Sequence, residues 1–178
     1  MRVEFARRRG GGSVATITRS DGVRLRLSSY DRKHAVPHDL AHFVTEQQLG
    51  MADGLFGSIA EGAVFDSLEV LAGRRAAVRS DAVRRRNAAG LALAEMLVGA
   101  VHLGLDGPDR AVVTSLARAW GSVRQGPCPY PEPARLAAIR ELRRAGERFA
   151  ALGPEEVLPL HWSGQPAGGR SGRPVRRS

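Results

Sequence analysis

Lysine, cysteine and aromatic residues are all scarce in this chain. Of its 27 basic residues only Lys33 is a lysine. Arginine in place of lysine, beside abundant alanine and glycine, reads first as coding bias of a GC-rich genome. The functional alternative is a surface for phosphate or nucleic acid. Aromatic content is only 5%, which limits base stacking, and no helix-turn-helix or zinc-finger spacing occurs. A single cysteine, Cys128, excludes an internal disulfide and any CxxC metal cluster. Long apolar runs are missing too. The longest, "AAGLALAEMLVGAVHLG" at 88–104, is short for a membrane span and carries Glu95 at its centre. The start, "MRVEFARRRGGG", has no apolar core of a signal peptide. A cytoplasmic protein without a membrane segment is the expectation. The triple glycine at 10–12 has no lysine-serine pair opening a helix behind it, which argues against a nucleotide loop.

What remains suits one compact domain. The chain has 178 residues and is 43% hydrophobic, enough for a real core. Its formal net charge is +9, and four of the arginines lie in the last sixteen residues. That segment, 163–178, is rich in Gly, Pro and Ser and carries too little apolar surface to repay ordering. It is expected to be a disordered basic tail behind a domain of residues 1–162.

The first thirty residues read as strands. Val3 and Phe5 alternate with Arg2 and Glu4 in "RVEF". Two alternating runs in "SVATITRSDGVRLRLSS" flank Asp21-Gly22, a hairpin signal. The rest reads mainly as helix. Pro37 and Gly50 bracket one near 37–49. One or two short helices are expected in "GLFGSIAEGAVFDSLEVLAG". Ser80-Asp81 resembles the cap of a long helix, 81–103. Two more follow near 108–121 and 133–151. "EEVLPLHW" closes the chain as an edge strand, because Pro159 cannot donate to a ladder. The expected fold class is therefore α+β: an N-terminal antiparallel sheet of three strands, with a possible fourth from the C-terminus, packed with four to five helices.

The functional signal is "HAVPHDLAHFVTEQQLG", residues 34–50. His34, His38 and His42 recur every four residues, and Glu46 continues the row. On a helix, side chains at i and i+4 leave one face from consecutive turns, so His38 and His42 can chelate one ion. His38 falls in the first turn, where the helix dipole disfavours imidazolium and so favours the neutral, metal-binding ring. The alternative is a polar face that meets only water. Leu49 on that same face implies that something covers it. Glu46 is a candidate ligand or proton-transfer group, and Asp39 a candidate general base or a partner that orients a ligating histidine. Further ligands would come from elsewhere. Glu95 is the leading candidate, since a carboxylate in a nearly all-apolar helix needs a partner or a metal. Glu61, His102 and His161 are weaker ones.

The segment "VPHDLAHFVTEQQLGMADGLFGSIAEGAVF" resembles small uncharacterised proteins of high-GC bacteria that carry a PHDxxH helix, an acidic residue four positions on, and a Gly/aromatic-rich segment. Its His38, Asp39 and His42 are also similar to the zinc-type HDxxH motif of the coenzyme Q biosynthesis family. That motif implies a distant glutamate, but twelve residues after His42 this chain has Gly54, with Asp53 and Glu61 the nearest acids. The β-rich start departs from that family's all-helical pattern as well. The resemblance implies metal binding and no particular substrate.

Two functions are thus in view. One is a divalent-metal protein, zinc foremost, with His38, His42, Glu46 and Glu95 as ligands and Asp39 or Glu46 moving protons in hydrolysis or lyase chemistry on an unknown small molecule. The other is a non-catalytic basic module for nucleic acid or a protein partner, built on the arginines at 74–86 and 140–148. Oligomeric state is not legible. If the arginines meet phosphates alone, binding to duplex DNA is expected to be weak, without sequence preference and steeply salt-dependent. A salt titration with two unrelated duplexes checks this, and tight, sequence-selective binding at physiological salt would refute it.

Overall fold

The computed structural model describes residues 1–30, 33–74 and 76–164. Eleven elements follow in order: β1 (Arg2–Arg7), β2 (Ser13–Thr18), β3 (Arg24–Ser29), α1 (His38–Leu49), α2 (Leu55–Glu61), β4 (Leu68–Ala72), α3 (Ala77–Arg86), α4 (Ala88–Leu103), α5 (Asp109–Val123), α6 (Glu132–Ala150) and β5 (Val157–His161). The fold is α+β. Its five strands form one antiparallel sheet in the order β4-β3-β2-β1-β5. No described helix is long and apolar enough to cross a membrane.

The period-two pattern sets the sheet's two faces. Val3, Phe5, Ala15, Ile17, Leu25, Leu27 and Leu158 are buried on one face, while Arg2, Arg24 and Arg26 stand exposed on the other. The hairpin between β2 and β3 turns at Asp21-Gly22 as expected. Gly22 has φ +81°, a conformation that costs glycine no steric strain. The Asp21 carboxylate pairs with the buried Arg19 guanidinium and also accepts from the Val23 N–H at 3.2 Å.

Helix α1 lies across the inner face and is buried nearly all round, from Leu40 to Gln47 and again at Leu49. The cover implied by Leu49 is therefore present, and α2, α4 and α6 supply much of it. Pro37 and Gly50 act as its two stops, with Gly50 at φ 67° in the left-handed cap that glycine favours. Phe43 of α1 meets Phe5 of β1 at 6.0 Å, Phe56 of α2 at 5.1 Å and Trp162 at 5.7 Å between ring centroids. Edge-to-face contacts of this kind fasten the helix to the sheet.

Three local expectations are corrected. "LEVLA" forms the edge strand β4 instead of continuing a helix. It pairs with β3 and shows Val70 and Leu71 partly to solvent, as an edge strand can. Ser80 does not cap a helix but lies buried within α3. There its hydroxyl accepts from the Val64 N–H at 2.9 Å, holding the loop before β4. The single long helix is broken into α3 and α4 at Asn87, whose buried amide donates to Ser58 Oγ and to the Glu61 carboxylate, both at 3.0 Å. Sheet and helices thus exceed the expected numbers by one strand and one helix. Most of the expected tail lies outside the described residues. Ser163 is described, and its N–H donates to Gln47 Oε1 at 3.2 Å.

The Arg19–Asp21 pair has a measurable consequence. The Arg19 hydrogen bond holds the Asp21 carboxyl below its ordinary 3.8. A depressed folded-state pKa stabilises the protein above the unfolded-state value, and the gain disappears as pH falls through the folded one. Asp21→Ala is expected to cost about 1 kcal/mol at neutral pH, a modest figure because the carboxylate is partly exposed. In urea unfolding at pH 7 and pH 3, the difference from the parent should shrink at the lower pH.

Candidate metal centre

Three side chains from two helices meet at one point. His42 Nε2 lies 3.2 Å from His38 Nε2. Glu95 of α4 brings its Oε2 to 3.5 Å from His38 Nε2 and its Oε1 to 3.4 Å from His42 Nε2. One ligand atom from each of the three residues lies within 4.8 Å of the others, and the group could hold a metal ion. The four-residue spacing of the histidines accounts for the first pair, because both rings leave α1 from consecutive turns. The packing of α4 against α1 brings in the carboxylate.

The outer partners orient both rings. His42 Nδ1 lies 2.9 Å from Glu46 Oε1, so an Nδ1–H donates to that carboxylate. His102 Nε2–H donates to the Val36 carbonyl at 2.8 Å, which leaves a neutral His102 with its Nδ1 as acceptor. His38 Nδ1 lies 3.4 Å from it and donates there. With neutral rings, both Nε2 atoms then carry lone pairs aimed at the same point as the Glu95 carboxylate. Such an arrangement is repulsive unless a cation, a proton or a metal ion, sits among them. Without a metal, the proton is held tightly. Burial alone would push the His42 pKa down, but Glu46 and Glu95 outweigh it and raise it from 6.5 to about 9. Hydrogen bonding to His38 and His42 in turn draws Glu95 well below the usual carboxylate range.

Glu46 plays a different part from the one its place in the row suggests. It is fully buried and faces away from the three-ligand point. Besides His42, it accepts from the Leu55 N–H and the Phe56 N–H, both at 2.9 Å, at the start of α2. The chain reverses at Gly50 to bring those amides back. Gly54 leaves the space, since a Cβ there would strike the Glu46 carboxylate.

Asp39 shares a cavity of about 580 Å³ with His38, His42 and Glu95. Its Oδ2 is buried with no hydrogen-bond partner among the described residues. Burial raises its pKa above the ordinary 3.8. Glu95 is not the buried ion that the apolar sequence of α4 implies. Its side chain is 65% exposed, because one face of α4 borders the open cavity. The other candidates lie elsewhere. Glu61 pairs with Arg86 at 2.6 Å, and His161 stands exposed on β5, opposite Arg2. His34 packs its ring against His102, with centroids 4.7 Å apart. Sequence reasoning ranked His102 low as a ligand. Its role in orienting His38 has no signal in local spacing, because 64 residues separate them.

The arginine clusters are largely engaged on the protein itself. Arg140 and Arg143 pair with Asp109, Arg144 with Glu141 and Arg86 with Glu61, while Arg79 donates to the Glu61 carbonyl at 2.8 Å. Comparison with protein-family models, with curated proteins and with solved structures finds no match for this chain.

The Glu46 geometry carries its own test. Glu46→Ala removes a buried charge and leaves two α2 amides and His42 without their acceptor. A loss of about 2–4 kcal/mol in urea unfolding is expected. A loss under about 0.5 kcal/mol, the usual scale for an inconsequential surface change, would show that the carboxylate does not hold this junction.

Proposed function

We propose that this protein is a mononuclear metal protein of the two-histidine, one-glutamate type. Its ligands are His38 and His42 through Nε2 and Glu95 through its carboxylate, and zinc is the ion that fits the donor set. The observation that carries the reading is the convergence of three donor groups: the two Nε2 atoms lie 3.2 Å apart, and each faces its own oxygen of the Glu95 carboxylate, at 3.5 Å from His38 and 3.4 Å from His42. Ligand bonds of about 2.0–2.1 Å at tetrahedral angles set their donors about 3.3–3.4 Å apart. A proton joins only one donor pair, whereas one ion between the rings and the carboxylate can be shared by both nitrogens and either oxygen. The likeness of His38-Asp39 and His42 to an HDxxH motif agrees with this.

Three protein ligands beside an open cavity are the pattern of catalytic rather than structural zinc. We assign the site to metal-dependent hydrolysis or lyase chemistry on a small molecule. Bound metal would polarise a water or a carbonyl group. Asp39 then serves as the proton-transfer group: it lines the same cavity, its carboxyl has an unused oxygen, and its raised pKa suits a base. Glu46 and His102 act through the ligands by fixing the ring orientations and are positioning residues.

Elemental analysis of untagged protein, purified without added metal, is expected to find about one zinc or similar ion per chain. His42→Ala should abolish binding. Glu95→Gln should weaken it, because the amide keeps the shape and loses the charge. Asp39→Asn should leave the metal content unchanged. Native protein that contains no metal and takes up none on titration would rule the reading out.

A further inference from the structure

The cavity at the metal centre does not end at its own walls. Phe65 and Leu91 line it, and the same two side chains line a neighbouring groove of about 560 Å³ together with Arg84, Arg85, Asp81 and Ala88. The two spaces therefore meet over a shared apolar floor. The connection also follows one face of α4. Ala88 borders the groove, Leu91 borders both spaces, and Glu95 lies in the metal cavity. Positions 88, 91 and 95 repeat at helical spacing on one side, so the path from groove to ligand covers about 10 Å along the axis. At the junction the Arg84 guanidinium lies 5.7 Å from the centre of the Phe65 ring. Its nearest acid, Asp66, is 3.7 Å away, too far for a direct hydrogen bond. Its donors thus face the groove without being taken up by that carboxylate.

From this continuity we infer the class of ligand, an inference that rests on the metal reading above. The site takes an elongated amphipathic anion. A metal-binding carbonyl-type group sits at His38, His42 and Glu95, an apolar chain or ring crosses Phe65 and Leu91, and a terminal carboxylate or phosphate reaches Arg84 and Arg85. The arginines suit either anion, because both present oxygens to a guanidinium fork. The Asp81 carboxylate at the groove edge opposes an anion, but two guanidinium groups against one carboxylate leave the groove lining net positive.

Hydroxamic acids supply the test, since they chelate zinc and can carry a chosen tail. Octanohydroxamate ends in a methyl group, suberic acid monohydroxamate in a carboxylate, and a phosphonate-ended counterpart separates the two anions. Affinities for the zinc-loaded, full-length protein would be measured by calorimetry. The anionic tails are expected to bind about tenfold more tightly than the methyl tail, the scale of one charge-assisted hydrogen bond. That preference should vanish in Arg84→Ala/Arg85→Ala and fall in Arg85→Ala, which spares the contact with Phe65, while octanohydroxamate binding and zinc content stay unchanged. Equal binding of methyl and anionic tails to the parent protein overturns this inference and leaves the metal centre standing. Failure of every hydroxamate to bind, with no zinc retained, removes the metal reading and this inference with it.

Discussion

The buried carboxylate of Glu46 is the constraint on which the centre depends. A charge removed from water is costly unless its oxygens are satisfied. Here His42 Nδ1 and two backbone amides of α2 satisfy them. The requirement works in both directions. The amides must be delivered, so the chain turns at Gly50 and approaches closely at Gly54. In return the carboxylate fixes the His42 ring with its Nδ1 turned inward and its Nε2 turned to the cavity. One side chain thus couples the docking of α2 to the direction of a ligand lone pair. His102 does the same for His38 by a different route, through the Val36 carbonyl just ahead of α1. Both rings are thus set from behind, a preorganisation that would lower the cost of binding an ion.

Much of this was legible from local spacing. Residues four apart on a helix must share a face, so the meeting of His38 and His42 follows once Pro37 and Gly50 bracket α1. The strands were legible for the same reason, since Val3, Phe5, Leu25 and Leu27 alternate with charged residues. Glu46 shows where such reasoning ends. Its position in the row is correct, but whether a carboxylate turns to the cavity or to a neighbouring helix depends on where the chain goes after Gly50. Glu95 shows the opposite case. Its apolar surroundings in sequence suggest burial, yet α4 lies at the border of the fold and lends one face to a cavity. The missed strand and the break at Asn87 have a common cause. "LEVLA" and the 77–103 segment both keep helix-compatible apolar spacing, and only tertiary partners decide between the alternatives: pairing with β3 in one, the Ser58 and Glu61 contacts in the other.

The basic composition takes on a different meaning once partners are visible. Asp109 alone holds two arginines of α6, and Glu61 and its carbonyl hold two of α3. Pairs of this sort are worth little individually in water, but among the described residues they tie several of the clustered arginines to acids of the same chain. The count of 27 basic residues therefore overstates the positive charge left unpaired on the described surface. Arg84 differs because its nearest acid stands off and an aromatic ring holds its guanidinium beside an open groove.

The cavity divides its labour between two kinds of wall. The ligands come from α1 and α4, two long helices packed against each other, so their relative positions are stiff. The facing side comes from the end of β3, the start of α2 and the segment leading into β4, through Leu27, Tyr30, Leu55, Phe65 and Ser67. Of these, Leu27 belongs to the core and Leu55 and Phe65 pack against it, whereas Tyr30 and Ser67 lie in connecting segments, where side chains can change at least cost to the core. If an ion is held as proposed, a site built this way would keep its metal geometry constant while the opposite wall sets what is bound. On the proposed reading, any chemistry would belong to the helix pair, and selectivity to the opposite wall and the arginine groove beyond it.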